Sequence, residues 1–258
     1  MIGLIDFSAS EYNYNHKGYT AIINQAIDIA VDHFIRHNNT DLVISDAQIL
    51  DYFTPVHTFN KYDYSAANVF LDNFHKNQTR HNIHNAHTLA DKDDLRLRHK
   101  ILNRILSPKS FLTNEIADLL TTLSIDDRTL GIQLRGTDKV TEIPKTPDNI
   151  IINSITKTIN QYQLSKLFLS TDDNYYLELI KNNFKEILVY NKNNVISYDN
   201  KPIHFSENRK QINKDVLLDA YILSNCKYFL HCFSNVSYLA LTLGSQNQKY
   251  IKNINYED

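Results

Sequence analysis

The residues best suited to chemistry lie in one stretch, Thr129 to Glu142, read T-L-G-I-Q-L-R-G-T-D-K-V-T-E. Leu130, Ile132 and Leu134 alternate as in a buried strand. The chain then breaks at Gly136 and brings Arg135, Asp138, Lys139 and Glu142 close together. Two cations at the end of an apolar strand suit an anionic group such as a phosphate. In parallel α/β sheets the carboxyl ends of strands are where ligands sit. Taken alone, the stretch is equally compatible with a surface turn holding solvated ion pairs.

Two other apolar runs end in the same way. Ser170-Thr171-Asp172-Asp173 follows K-L-F-L, and His231-Cys232-Phe233-Ser234-Asn235 follows Y-F-L. Thr171, Asp172 or Asp173 could cap the next helix, and Ser234 and Asn235 could cap the one after the last strand end. A helix start is also a good phosphate seat, so capping and phosphate binding are compatible. Asp219 is of a different kind. It stands in K-D-V-L-L-D-A-Y-I-L-S, where Val216, Leu217, Leu218, Ala220, Tyr221, Ile222 and Leu223 leave almost no polar side. A carboxylate there is partly buried and needs partners. A neighbouring backbone group or an arginine could supply them. The alternative is recognition of guanine, whose N1–H and N2–H₂ are adjacent donors matching the two oxygens of one carboxylate.

The elements that position these residues are clearest in the second half. Strands are expected at Leu130–Leu134, Lys166–Ser170, Glu186–Tyr190, Tyr228–Cys232 and Lys249–Ile251. Helices are expected at Asp148–Tyr162, Asn174–Phe184, Lys214–Ser224 and Asn235–Leu243, with a polar loop from Asn191 to Asn213. This alternation predicts a doubly wound parallel sheet with right-handed crossovers. The three polar clusters then share its carboxyl edge.

In the first half, Ile23, Ala26, Ile27, Ala30, Val31 and Phe34 recur at helical spacing over Tyr19–His37. A strand follows at Asp41–Ser45, and a short one within Met1–Asn15 would complete a β-α-β start. Helical pieces fit Ala67–His75, Leu95–Leu106 and Asn114–Leu123, the last two separated by Pro108. His57, His75, His81, His84, His87 and His99 are scattered without an H-E-x-x-H or similar pair, which favours solvated histidines over a metal site.

Composition sets outer bounds. A chain of 258 residues makes one large domain or two small ones, and 42% hydrophobic residues suffice for a full core. With 27 basic and 29 acidic residues the net charge is -2, so nothing general draws it to nucleic acid or to a membrane surface. Cys226 and Cys232 form neither a disulfide framework nor a paired-cysteine zinc site, and suit reduced thiols in a cytosolic compartment. The start is charged too early for a signal peptide, and no run approaches the ~18 apolar residues of a membrane span.

Four segments in order, G-I-Q-L-R-G-T-D-K-V-T-E, L-F-L-S-T-D-D, V-L-L-D-A-Y-I-L-S and Y-F-L-H-C-F-S-N-V-S-Y-L-A, resemble the donor-binding half of the α1,6-fucosyltransferases. That family acts on N-glycan cores and nodulation factors and is related to the α1,2- and protein O-fucosyltransferases. The resemblance covers roughly Leu130 to Leu243; the first half is similar only through G-x-x-x-x-x-N-Q-A at Gly18–Ala26. It implies a GT-B-like α/β fold of two Rossmann-type domains: residues 1–124 contributing to the acceptor cleft, and 125–258 binding a GDP-sugar. It also implies an inverting, metal-independent transfer from GDP-fucose to a glycan or glycolipid hydroxyl. No cofactor is implied, and the location would be cytoplasmic, with peripheral attachment to a membrane left open. Alternatives are a transferase using another GDP-sugar or nucleotide sugar, and a nucleotide-binding module without turnover.

Carried over residue by residue, the family's H-x-R-R-T-D-K motif falls on Gln133 to Lys139, with Asp138 inside it. Arg135 and Lys139 match cations near the donor diphosphate, and Glu142 is the candidate catalytic base. Asp172 and Asp173 match an acidic pair near the nucleotide, Asp219 the guanine-reading aspartate, and Phe233, Ser234 and Asn235 a turn near the phosphates. Gln133 replaces a histidine and Gly136 a second arginine, and the Lys139–Glu142 loop is one residue shorter than in the animal enzyme.

Overall fold

The computed structural model describes residues 3–5, 19–38, 42–44, 47–56, 92–136, 145–198 and 208–255. They fall into two units, residues 1–113 and 114–258.

In the first unit, β1 (Gly3–Ile5) and β2 (Leu42–Ile44) pair in parallel, Gly3 opposite Leu42. The chain between them includes α1 (Tyr19–His37), so the expected β-α-β start is present. Helix α1 buries Ile22, Ile23, Ala26, Ile27, Ile29 and Ala30, the apolar stripe legible in its spacing. Then follow α2 (Ala47–Tyr52) and β3 (Phe53–Pro55). Beyond them lie α3 (Lys92–Ile105), which packs on α1, and β4 (Leu106–Pro108), antiparallel to β3. Arg98 on α3 is buried and forms an ion pair with Asp28 on α1. Nη2 of the same guanidinium donates to the Asn24 carbonyl at 3.4 Å. Helix α2 and the β3–β4 pair were not expected. Each of the two strands has three residues and ends in proline, too short for a period of two to register. The helical expectation at Ala67–His75 lies outside the described residues.

The second unit begins with α4 (Ser110–Thr122), whose first turn belongs to the unit before it. It is built on β5 (Thr129–Leu134), β6 (Lys166–Thr171), β7 (Leu188–Val189), β8 (Tyr228–His231) and β9 (Tyr250–Asn253). All adjacent pairs are parallel, in the order β7-β6-β5-β8-β9. The crossovers carry α5 (Asp148–Tyr162), α6 (Asn174–Phe184), α7 (Arg209–Asn225) and α8 (Asn235–Gly244). Strands β5, β6 and β7 lay the sheet down in one direction and β8 and β9 in the other. The strand order therefore reverses between β5 and β8.

Period-two alternation sorts the residues of β5 onto two faces. Leu130, Ile132 and Leu134 join a core with Ile151 and Ile155 of α5 and Tyr176, Leu177 and Ile180 of α6. Gly131 and Gln133 face the other way, toward α7 and α8. A β-carbon at Gly131 would come within 3.0 Å of Cys226 Cβ and 3.1 Å of Leu223 Cδ2, so its bare hydrogen is what lets α7 lie this close to β5. Helix α7 starts at Arg209 and not at Lys214 as the pattern suggested. Ile212 is buried and adds a turn to the apolar stripe; among Arg209, Lys210, Gln211 and Asn213 it was not recognised as an anchor.

Candidate functional site

The register of the sheet aligns the polar strand ends. Gln133 of β5 lies opposite Ser170 of β6 on one side and His231 of β8 on the other. Arg135 and Gly136, Asp172 and Asp173, and Phe233 and Ser234 follow directly, so all three clusters stand at one edge. The crevice where strand order reverses, between β5 and β8, is flanked by two of them.

At the end of β5, the Gly136 N–H donates to Asp172 Oδ1 at 3.2 Å, and Arg135 Nε lies 3.8 Å from Asp172 Oδ2. The Asp172 carboxylate thus braces both the turn and the guanidinium, which keeps 17% of its side-chain surface exposed at the sheet edge. Asp173 has a different task. Its Oδ1 accepts the Tyr175 N–H at 2.8 Å and caps α6. Capping was the plainer of the two roles open to this pair, and here the two aspartates divide the work. The Gly136 backbone is pressed against Asp173, and a β-carbon there would lie 2.8 Å from Asp173 Cγ and 2.9 Å from its Cβ.

Across the crevice, Ser234 caps α8, its Oγ accepting the Ser237 N–H at 3.0 Å. Ser234 Oγ and Ser237 Oγ each lie 2.9 Å from Gln133 Oε1, and Cys232 Sγ lies 3.0 Å from the same oxygen. Arg135 N donates to Cys232 Sγ at 3.3 Å. Burial pushes the Cys232 thiol up to about 12, so it stays protonated and serves as a link, not a nucleophile. Phe233 is buried and its N–H donates to Asn255 Oδ1 at 2.6 Å. Asn235 opens α8. The N-terminus of this helix, with its positive dipole end, faces the carboxyl edge.

Asp219 projects from α7 and is only 3% exposed. Asn194 Nδ2 donates to its Oδ2 at 2.9 Å, the Ser170 hydroxyl lies beside it, and Oδ1 has no partner among the described residues. Burial, reinforced by the charge of Asp215 one turn earlier, pushes the Asp219 carboxyl up to about 7 against the favourable bonds from Ser170 and Asn194. Asp215 is buried too and is raised to about 6, chiefly by burial. The carboxylate is more deeply buried than its place on the helical wheel implied, because Ile212, Asp215, Asp219 and Leu223 lie on one stripe of α7.

Asp138, Lys139 and Glu142 lie outside the described residues, as do His57, His75, His81, His84 and His87. His99 lies on α3, 2.9 Å from the Asn103 amide. Sequence reasoning passed over Asn194, which sits in the polar run N-K-N-N-V and gains meaning only from its bond to Asp219. It also passed over Lys145, whose Nζ lies 3.4 Å from the Tyr175 ring centroid at the start of α6. Among the described residues no cluster of His, Cys, Asp and Glu is arranged to hold a metal ion, and no helix is long and apolar enough to cross a membrane.

No protein-family model matches the sequence, and no curated protein does. Solved structures do match. The NodZ α1,6-fucosyltransferase soaked with GDP-fucose is 13% identical with a TM-score of 0.52, over 94% of this chain and 92% of that one. The same enzyme co-crystallised with GDP gives 13% identity and a TM-score of 0.51, over 93% and 91% of the two chains. POFUT1 in complex with GDP is 10% identical with a TM-score of 0.42, over 60% of this chain; this chain spans only 49% of that one. The expected α/β, GT-B-like architecture is thus the architecture found, the fold of the NodZ α1,6-fucosyltransferase.

Proposed function

We propose that the chain is an inverting, metal-independent glycosyltransferase that moves fucose from GDP-fucose to a glycan hydroxyl. The observation that carries this reading is the pairing, at one sheet edge, of a braced arginine with a buried carboxylate that has an oxygen to spare. Arg135 follows β5 at the point of strand reversal, and Asp219 lies beside Ser170 on the neighbouring strand. A guanosine diphosphate carries both counterparts, an anionic diphosphate and adjacent N–H donors on its base.

In this reading the acceptor hydroxyl oxygen attacks the anomeric carbon of fucose and passes its proton to the Glu142 carboxylate. The bond from that carbon to the β-phosphate oxygen breaks, and its electron pair leaves with GDP. Arg135 and Lys139 offset the charge that builds on the departing diphosphate, and the N-terminal dipole of α8 adds to them. A pair of side-chain cations can do this without a metal. Asp138, Lys139 and Glu142 enter on sequence grounds alone.

Calorimetric titration with GDP and UDP, with and without EDTA, tests the reading, followed by assay of GDP-fucose turnover. Binding of GDP in preference to UDP, unaffected by chelator, with turnover of GDP-fucose, supports it. Preference for UDP, or binding that needs a metal, overturns it. One observation favours a different GDP-sugar as the runner-up. Gly136 stands where the motif it resembles has a second arginine, and its contact with Asp173 leaves no room for a side chain, so the strand end offers a donor one cation fewer. A panel of GDP-sugars separates the two.

A further inference from the structure

Three buried acceptor oxygens of the second unit have no hydrogen-bond donor among the described residues: Asp219 Oδ1, Asp215 Oδ2 and Asn194 Oδ1. Two of them belong to side chains already joined, since Asn194 Nδ2 donates to Asp219 Oδ2 at 2.9 Å. That bond fixes the amide, with its NH₂ toward the carboxylate and its oxygen left to accept. Asp215 spends its other oxygen on Gln211 Nε2 at 2.6 Å, one turn before Asp219 on α7. Buried acceptors without donors cost stability, and natural proteins keep few of them. A wall with spare acceptors suits a ligand edge that offers donors side by side.

Nucleobases differ sharply on this point. Guanine presents N1–H and N2–H₂ side by side. Uracil presents one N–H between two carbonyls. Adenine and cytosine set an amino group beside a ring nitrogen whose lone pair would face the carboxylate. Asp219 Oδ2 already accepts from Asn194 Nδ2, so Oδ1 is the carboxylate oxygen without a donor, and Asn194 Oδ1 is a second such acceptor beside it.

We infer that Asn194 is a specificity-determining residue of the donor site, its Oδ1 accepting from the 2-amino group of a guanine nucleotide while Asp219 Oδ1 accepts from N1–H. The inference rests on the donor reading proposed above, and it adds a residue that the motif resemblance does not reach. It also differs from a purely positioning role, in which Asn194 would only hold Asp219 still.

Inosine diphosphate separates these cases, because it lacks only the 2-amino group of GDP. Titration of the full chain is expected to give about tenfold preference for GDP over inosine diphosphate. In Asn194→Ala that preference shrinks to about twofold or less, with GDP losing more affinity than inosine diphosphate. Asn194→His retains an N–H for Asp219 but no amide oxygen, and the same collapse is expected if the alanine variant folds poorly. Equal affinities in the wild type overturn the inference. So does a variant that keeps the full preference, or one that loses both ligands by the same factor, which would make Asn194 a positioning residue and leave the fucosyltransferase reading standing. A wild-type protein that binds UDP and not GDP removes that reading and the inference with it.

Discussion

Ser234 Oγ accepts the Ser237 N–H at 3.0 Å and lies 2.9 Å from Gln133 Oε1, so one hydroxyl both starts α8 and fastens it to β5. The fastening draws in Ser237 and Cys232 on the same amide oxygen. At the position where the motif it resembles has a histidine, this chain uses an amide to join the two strands that flank the crevice.

Gln133→Leu should therefore loosen the site from beneath. The side chain is of similar size, but the buried Ser237 hydroxyl and Cys232 thiol lose their acceptor. The expected cost is about 1–3 kcal/mol, read as a lower urea midpoint, together with weaker GDP binding. An unshifted midpoint would show that the serines and the cysteine re-pair among themselves.

Arg135→Ala should leave the fold intact and remove turnover. Its ion pair with Asp172 is long and partly exposed, worth at most about 1 kcal/mol. Loss of a charge-stabilising contact to the leaving group should lower the rate by roughly 10²–10³. Circular dichroism and product formation from GDP-fucose measure the two halves of this statement. Near-normal turnover in a folded variant would end the assignment.

Asp219→Asn should stabilise the protein and damage binding at once. The folded-state carboxyl titrates at about 7, above its ordinary 3.8, so the native state holds its proton more tightly than the unfolded chain does. Stability linked to this group is fully present below about 3.8 and is lost as pH rises toward 7, by roughly 4 kcal/mol in total. The amide escapes that loss, so the melting temperature of the variant should exceed that of the wild type at pH 8 and not at pH 4. In the proposed reading, GDP binding by the wild type should strengthen from pH 6 to 8, as the carboxylate that accepts the base N1–H forms. A flat pH profile for binding would mean that Asp219 does not touch the ligand.

Gly136→Arg supplies the second arginine of the motif this stretch resembles and is expected to fail. Its β-carbon meets Asp173 Cγ and Cβ at 2.8 and 2.9 Å, so Asp173 must leave its post on the Tyr175 N–H. Loss of a helix cap costs about 1 kcal/mol. Thermal denaturation should detect it, and no gain in GDP-fucose turnover is expected. Higher turnover with unchanged stability would contradict the packing.

The second half of the fold was readable because its signals are local. Leu130, Ile132 and Leu134 announce a strand by themselves, and each helix of that half carries its own apolar stripe. Arg135 and the Asp172–Asp173 pair stood out as charge at the ends of apolar runs. Gln133 was named through resemblance, but its partners were not foreseen, because Ser234, Ser237 and Cys232 lie about a hundred positions away in the chain. Asn194 was missed for the same reason: one asparagine in a polar loop has no pattern until Asp219 is beside it. The β3–β4 pair escaped because strands of three residues fall below the length at which periodicity can speak.

Gly131 touches no ligand in any reading given above, yet it governs one dimension of the site. With no side chain there, Leu223 and Cys226 settle close to β5, and Asp219, one turn earlier on the same stripe of α7, comes to rest beside Ser170. A single methyl at Gly131 would act as a shim under the helix. It would move the helix, and with it the buried carboxylate, away from the sheet by tenths of an ångström. In the proposed reading, the depth of the donor site is thus set partly at a seam outside the donor contacts, by packing alone.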